Sequence, residues 1–232
     1  MTNPSAPSYG YADLPRLISL MTGDEKHDSS ASSTLDVLWV LYDRVLRVDR
    51  SKANAMDRDR FLLSKGHGPM AYYAVLAAKG FIPIDWLAGW AGFESPLGLH
   101  PDANLVPGVE IASGSLGHGL PLAVGLALGL RAQSIDSRVV VLVGDAELDE
   151  GSNSEAIEVA AAIGLDRLLT IVVDNQSSTH GWTGGISSRF EVAGWDAVTV
   201  SGRDHAALEI AMCPSTMPNR PKAVVAVVGP TT

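Results

Sequence analysis

The sequence predicts an α/β protein built on a parallel sheet with helices on both faces. Two observations predict it. Four short runs, 138–143, 168–173, 197–200 and 223–228, are almost continuously apolar and rich in Val, Ile and Leu. Segments with helical spacing or Ala-rich composition lie between them. A strand that is apolar at every position, and not at every second one, is buried on both faces, as crossover helices impose.

The elements follow in order. The start of the chain, to about residue 12, is polar and reads as loose. Apolar residues then recur at helical spacing over 34–48, through Leu35, Leu38, Trp39, Tyr42, Val45 and Leu46. A charged turn occupies 49–60, and Phe61-Leu62-Leu63 reads as a short strand. A helix over 68–79 stops at Gly80. Another short helix is predicted over 85–92, before a Pro- and Gly-rich loop over 94–119. A helix of small residues spans 119–133, and the first long strand, 138–143, follows. An Ala-rich helix over 153–163 precedes the strand 168–173. The strands 197–200 and 223–228 flank a helix over 204–212. No repeat or linker divides the 232 residues, so one domain over 1–232 is expected.

Composition narrows the function. There are 26 acidic and 17 basic side chains, a net charge of −9, which disfavours a nucleic-acid surface. Hydrophobic residues make up 46%, so the chain is not of the disordered class. The N-terminus lacks a basic and apolar leader pattern. The most apolar stretch, 116–130, is too short and too interrupted by Gly and Pro to span a bilayer. The single cysteine, Cys213, leaves no internal disulfide and favours a reducing, cytoplasmic setting.

In a parallel sheet ligands gather at the carboxyl ends of the strands. One strand ends in Gly144-Asp145 and the next in Asp174-Asn175, with Asn175 thirty positions after Asp145. Asp145 offers an anionic oxygen and Asn175 a neutral one, both hard ligands suited to Mg²⁺ or Ca²⁺. Two protein ligands leave room in an octahedron for a phosphate group, which carboxylates alone would repel. Taken singly, Asp145 also fits a helix N-cap and Asn175 a turn residue. His67, between Gly66 and Gly68 ahead of a helix, and the loop Gly114 to Gly119, which also opens a helix, are both placed to hold an anion.

These segments together resemble the transketolase family of thiamine diphosphate-dependent enzymes. Gly144-Asp145-Ala146 with Asp174-Asn175 is similar to the family's Gly-Asp-Gly to Asn motif, with Ala146 in place of the second glycine. The run Asp59-Arg60-Phe61-Leu62-Leu63-Ser64-Lys65-Gly66-His67-Gly68 resembles its "DRDRFVLSxGHG" segment. Gly114-Ser115-Leu116-Gly117-His118-Gly119 resembles its "GSLGxG" loop, and 144–156 its "GDGxxxEGxxxEA" run. The resemblance covers about 26–228. It implies the diphosphate-binding half of the fold, with thiamine diphosphate and Mg²⁺ as cofactors. It also implies a second polypeptide carrying the pyrimidine-binding and C-terminal domains, in a two-plus-two complex, because the chain ends where the first domain ends.

By that resemblance Asp145, Asn175 and Ser177 hold the metal. His67, Gly114, Ser115, Leu116, His118, Gly144, Ala146 and Glu147 line the cofactor, with His118 where many members have Gln. His27 and His100 face the substrate, where each can move a proton. His100, in Leu99-His100-Pro101-Asp102, keeps the family pattern, while His27 lacks its flanking glycines. Glu150 and Glu155 match glutamates that line a channel between active sites. The implied activity is transfer of a two-carbon ketol unit from a ketose to an aldehyde. Alternatives are a related acyloin or ketol synthase acting on an unusual sugar or natural-product intermediate, and a non-catalytic binding subunit. A Mg²⁺-dependent phosphohydrolase with Asp145 as nucleophile is a third, but it calls for Asp-x-Asp and position 147 is Glu.

Overall fold

The computed structural model describes residues 9–22, 28–52, 55–66, 68–178 and 181–229, with backbone alone at 28–31. Five parallel strands form one sheet in the order β1-β2-β3-β5-β4: β1 Arg60–Leu63, β2 Val139–Gly144, β3 Leu168–Asp174, β4 Asp196–Ser201 and β5 Lys222–Val227. Alternate strand residues point to opposite faces. Phe61, Leu63, Val140, Leu142, Ile171, Val173 and Val224 enter one core, covered by α1 Leu14–Ile18, α2 Asp28–Val40, α3 Pro69–Ala78 and α7 His205–Ala211. Leu62, Val139, Val141, Val143, Val172 and Val225 enter the other, covered by α4 Gly119–Ala132, α5 Gly151–Ala162 and α6 Ile186–Val192. Both faces of β2, β3 and β5 are buried almost throughout, which is why these strands show no polar alternation.

Several boundaries differ from those the sequence predicts. Tyr11–Asp13 forms a 3₁₀ turn leading into α1, inside and just beyond the segment read as loose. The helix expected over 34–48 begins at Asp28, and after Val40 it widens into a π turn, Leu41–Val45. Leu46 N–H closes that turn on Leu41 O at 2.8 Å, and its own backbone is extended, so the chain leaves the helix there. The short helix expected over 85–92 is a 3₁₀ segment, Ile84–Gly89. α6 is an addition: its Ser187-Ser188-Arg189 obscures the apolar spacing around Phe190, which is fully buried. α3 carries both end signals, Pro69 at its first position and Gly80 (φ +75) just past its end. Among the described residues no helix is long and apolar enough to cross a membrane.

At the amino-terminal edge of the sheet, Asp59 is fully buried. Its carboxylate accepts from the backbone N–H groups of Arg47 and Arg138, both at 3.0 Å, and from both guanidinium groups. Burial pushes this carboxyl up, but the backbone donors and the Arg138 guanidinium outweigh it and hold it below its ordinary value. A depressed carboxylate stabilises the fold above the unfolded value, and that contribution is lost as pH falls through the folded value. Asp59→Asn keeps the shape and removes the charge. It is expected to cost about 1.5–3 kcal/mol at pH 7. Denaturant titrations at pH 7 and pH 3 check it: the gap between wild type and variant should close on the acid side, and a gap independent of pH would be contrary.

Candidate functional site

The parallel arrangement sets the carboxyl ends of β1, β2 and β3 side by side. They deliver Ser64-Lys65, Gly144-Asp145 and Asp174-Asn175 to one edge. Asp145 is buried, at 2% exposure. Its Oδ2 accepts from Ser177 N–H at 2.6 Å and Ser178 N–H at 3.0 Å, and its Oδ1 from the Ser177 hydroxyl at 2.6 Å. The loop after β3 is thus folded back onto the end of β2, which gathers the three residues expected at the metal. Asn175 follows β3 directly, and its Oδ1 is buried with no hydrogen-bond partner among the described residues. A buried amide oxygen without a donor is costly, and a cation removes that cost. The donor set is one carboxylate with neutral oxygens, which suits a hard divalent ion that also holds phosphate. Among the described residues no group of three or more His, Cys, Asp or Glu is placed to hold a metal.

The glycine loop docks beside these ends through Glu147, which is 2% exposed. Its Oε1 accepts from Gly117 N–H at 3.0 Å and from the Ser64 hydroxyl; its Oε2 accepts from Gly144 N–H at 3.2 Å. Ser64 Oγ in turn accepts from Gly119 N–H at 3.0 Å. Burial raises the Glu147 carboxyl, and its hydrogen bonds oppose that rise. Glu147, expected to line the cofactor, is therefore the knot that ties β1, β2 and α4 together. The glycine at 119 is needed for contact: a Cβ there would lie 2.2 Å from Ser64 Cβ and Oγ.

The rest of the loop is open. Gly114, Ser115, Leu116 and His118 are exposed, and Ala146 is half-buried at the start of a 3₁₀ turn, Ala146–Asp149. His100 is exposed and joins this group: its ring lies 3.0 Å from where a Gly114 Cβ would be, and Ser113 N–H bonds Pro101 O at 3.0 Å. Glu150 also meets the loop, its side chain lying against Gly117 (φ +82), at the N-cap of α5. Glu155 lies apart, exposed on α5. His27 and His67 lie outside the described residues. A cleft of about 550 Å³ opens beside Asp145, lined by Asp149, Asp174, Gln176, Ser178 and Trp182 among others. That size suits a small molecule. Sequence reasoning assigned no role to Ser64 and Lys65, although both stand inside the motif that ends in His67.

The sheet order and the strand-end oxygens define an α/β thiamine diphosphate-binding fold. A solved transketolase variant from Pichia stipitis superposes with a TM-score of 0.80 at 26% identity, over 94% of this chain and 35% of that one. Residues 19–228 match the family described as transketolase, thiamine diphosphate binding domain. The chain belongs to the transketolase family. It is 39% identical over 184 residues to an apulose-4-phosphate transketolase subunit from Actinobacillus succinogenes, covering 77% of this chain and 67% of that protein. It is 55% identical over 222 residues to a Rhodococcoides fascians protein named ferredoxin fas2, covering 95% and 72%. The chain spans about a third of the Pichia stipitis transketolase.

Proposed function

We propose that this chain is the diphosphate-binding subunit of a transketolase-like enzyme. With a second polypeptide that carries the pyrimidine-binding and C-terminal domains, in a two-plus-two complex, it transfers a two-carbon ketol unit from a ketose to an aldehyde. The observation that carries the reading is the buried Asp145 carboxylate at one strand end and, at the next, the Asn175 Oδ1, which has no hydrogen-bond partner among the described residues. When bound, thiamine diphosphate supplies a nucleophilic carbon able to add to a ketose carbonyl. Asp145, Asn175 and Ser177 would hold Mg²⁺, and Gly114, Ser115, Leu116, His118, Gly144 and Ala146, with His67, would line the cofactor. Glu147 positions those loops. His100, and His27 from beyond the described residues, move protons at substrate oxygens, while Glu150 and Glu155 face the neighbouring protomer. The substrate class is a sugar or related keto compound.

That a relative is named as one subunit of a transketolase supports a divided enzyme. The name ferredoxin does not carry over to this chain, because an iron–sulfur cluster of that kind takes four thiolates and the sequence holds one cysteine. That one exposed thiol also fits a reducing cytoplasm.

The test has two arms. Purified chain with cofactor and Mg²⁺ should be silent, and ketol transfer should appear only when the second polypeptide is added. His100→Ala in the assembled complex should retain cofactor affinity and lose about 10²–10⁴-fold in turnover. Transfer by the chain alone would sink the divided-enzyme reading. Full turnover by the His100 variant, or loss of its cofactor, would sink the substrate-side role.

A further inference from the structure

Arginine gathers at the amino-terminal edge of the sheet, the end opposite Asp145. A cavity of about 390 Å³ there is lined by Arg44, Arg47, Arg138 and Arg167, and by Glu209 and Cys213 among others. The fold brings the four arginines together from separate segments. Arg44 lies in the π turn after α2 and Arg47 just past it. Arg138 and Arg167 directly precede β2 and β3, and the register of Val139 with Leu168 sets them side by side. The length of β2, at about 3.3 Å per residue, keeps the cavity roughly 20 Å from Asp145. The carboxylates nearby do not use up these guanidinium groups. Arg47 and Arg138 share the single charge of Asp59, whose oxygens also accept from two backbone N–H groups. Arg44 meets Glu209 at 3.0 Å and Asp43 at 3.5 Å, and Asp43 also accepts from Lys79. Arg167 meets Asp136 at 2.7 Å. Five cations thus share four carboxylates, in a chain whose net charge is −9. Each guanidinium also keeps a nitrogen that makes no hydrogen bond among the described residues: Nη2 of Arg44, and Nη1 of Arg47, Arg138 and Arg167.

Ion pairs between exposed side chains are weak, so a better-matched anion displaces them at little cost. Arg44 with Glu209 and Arg167 with Asp136 are pairs of that kind, their side chains 37–70% exposed. The anion that suits several planar forks at once is a phosphate, because it offers more acceptor oxygens than a carboxylate. The volume of the cavity fits a small molecule, and the net acidity of the chain disfavours a nucleic acid. We propose that this cavity is an anion site that takes a phosphate group, free or borne by a small molecule, held by Arg44, Arg47, Arg138 and Arg167. It is independent of the reading above: it lies at the other end of the sheet and needs neither thiamine diphosphate nor Mg²⁺. A ligand here ties the exit of α2 to the starts of β2 and β3.

The single cysteine of the chain lines this cavity and is exposed, so it reports on occupancy. Alkylation of Cys213 by iodoacetamide, a neutral reagent, is timed on the full chain without Mg²⁺, with inorganic phosphate or glucose 6-phosphate added. Glucose, and chloride at matched ionic strength, are the controls, and calorimetry gives the affinities. A phosphate anion should protect Cys213 in a saturable way and give a binding isotherm. Equal protection by the two assigns the site to the free ion, and tighter binding of the ester assigns it to a phosphate ester; both outcomes support the proposal. Arg44→Gln combined with Arg167→Gln, changed at exposed positions and sparing the Asp59 cluster, should weaken binding about 10–100-fold, as loss of charge-assisted hydrogen bonds does. Glu209→Gln, which removes the acidic side chain from the lining, should tighten it. No protection by either anion, protection equalled by chloride, unchanged affinity in the double arginine variant, or weaker binding in the Glu209 variant overturns the proposal.

Discussion

Asp145→Ala should abolish Mg²⁺-dependent binding of thiamine diphosphate. The substitution removes the single anionic ligand expected at the metal and leaves the ion with neutral oxygens next to a ligand of high negative charge. Without the metal, the carboxylates of Asp149 and Asp174 around the same cleft repel the diphosphate. The loss should exceed about 100-fold, since ligand and charge are lost together. A second effect follows from the fold. The carboxylate holds the loop through Ser177 and Ser178 at 2.6–3.0 Å, so Ala also releases those donors. Asp145→Asn separates the two causes, because it keeps an acceptor for the loop while removing the charge. Calorimetric titration with cofactor, with and without Mg²⁺, is the measurement. Affinity in the Ala variant equal to wild type in the presence of Mg²⁺ would remove Asp145 from the metal site.

Glu147→Ala should be the most destabilising substitution in the site. Three donors converge on this buried carboxylate, and each loses its partner: Gly117 N–H, Gly144 N–H and the Ser64 hydroxyl. At about 1–3 kcal/mol for each unsatisfied buried group, the loss is on the order of 4 kcal/mol. That is a large share of the roughly 5–15 kcal/mol that holds a typical domain together. For a chain of this size it lowers Tm by about 8–16 °C. Hydrogen exchange at Gly117 and Gly144 should rise most, because both amides lose their acceptor directly. Glu147→Gln should recover part of the loss, limited because its amide N–H faces a donor where an oxygen stood. A Tm within about 2 °C of wild type would mean that the knot carries little of the stability at this edge.

The sheet was legible in the sequence to the extent that burial is uniform. β2, β3 and β5 are apolar almost throughout because both faces are covered, and their runs were read directly. The pairing order was not, since nothing in the chain marks β5 as lying between β3 and β4. At the site, Asp145 and Asn175 were readable because strand ends and spacing mark them. Lys65 and Ser64 were not, because their importance comes from neighbours distant in sequence: Ser33 lies 32 positions before Lys65, and Glu147 lies 83 positions after Ser64. The cluster in which Tyr11, Arg203 and His205 converge on buried Asp36 was hidden for the same reason.

The placement of β5 also bears on how the chain acquires its shape during synthesis. β4 is translated before β5, yet among the described residues its one strand neighbour is β5. Until residues 222–227 have left the ribosome, β4 and the exposed edge of β3 have nothing to pair with. Helix α6, which packs against both β4 and β5, lacks part of its floor as well. A nascent chain in that state presents two open edges of Val-rich strand, a form prone to pair with other chains. Closure requires β5 to insert between elements already made, a non-local step of the kind that slows folding. The expected bottleneck of biogenesis therefore lies in the last strand made, β5, which sits one place in from the edge of the sheet remote from β1.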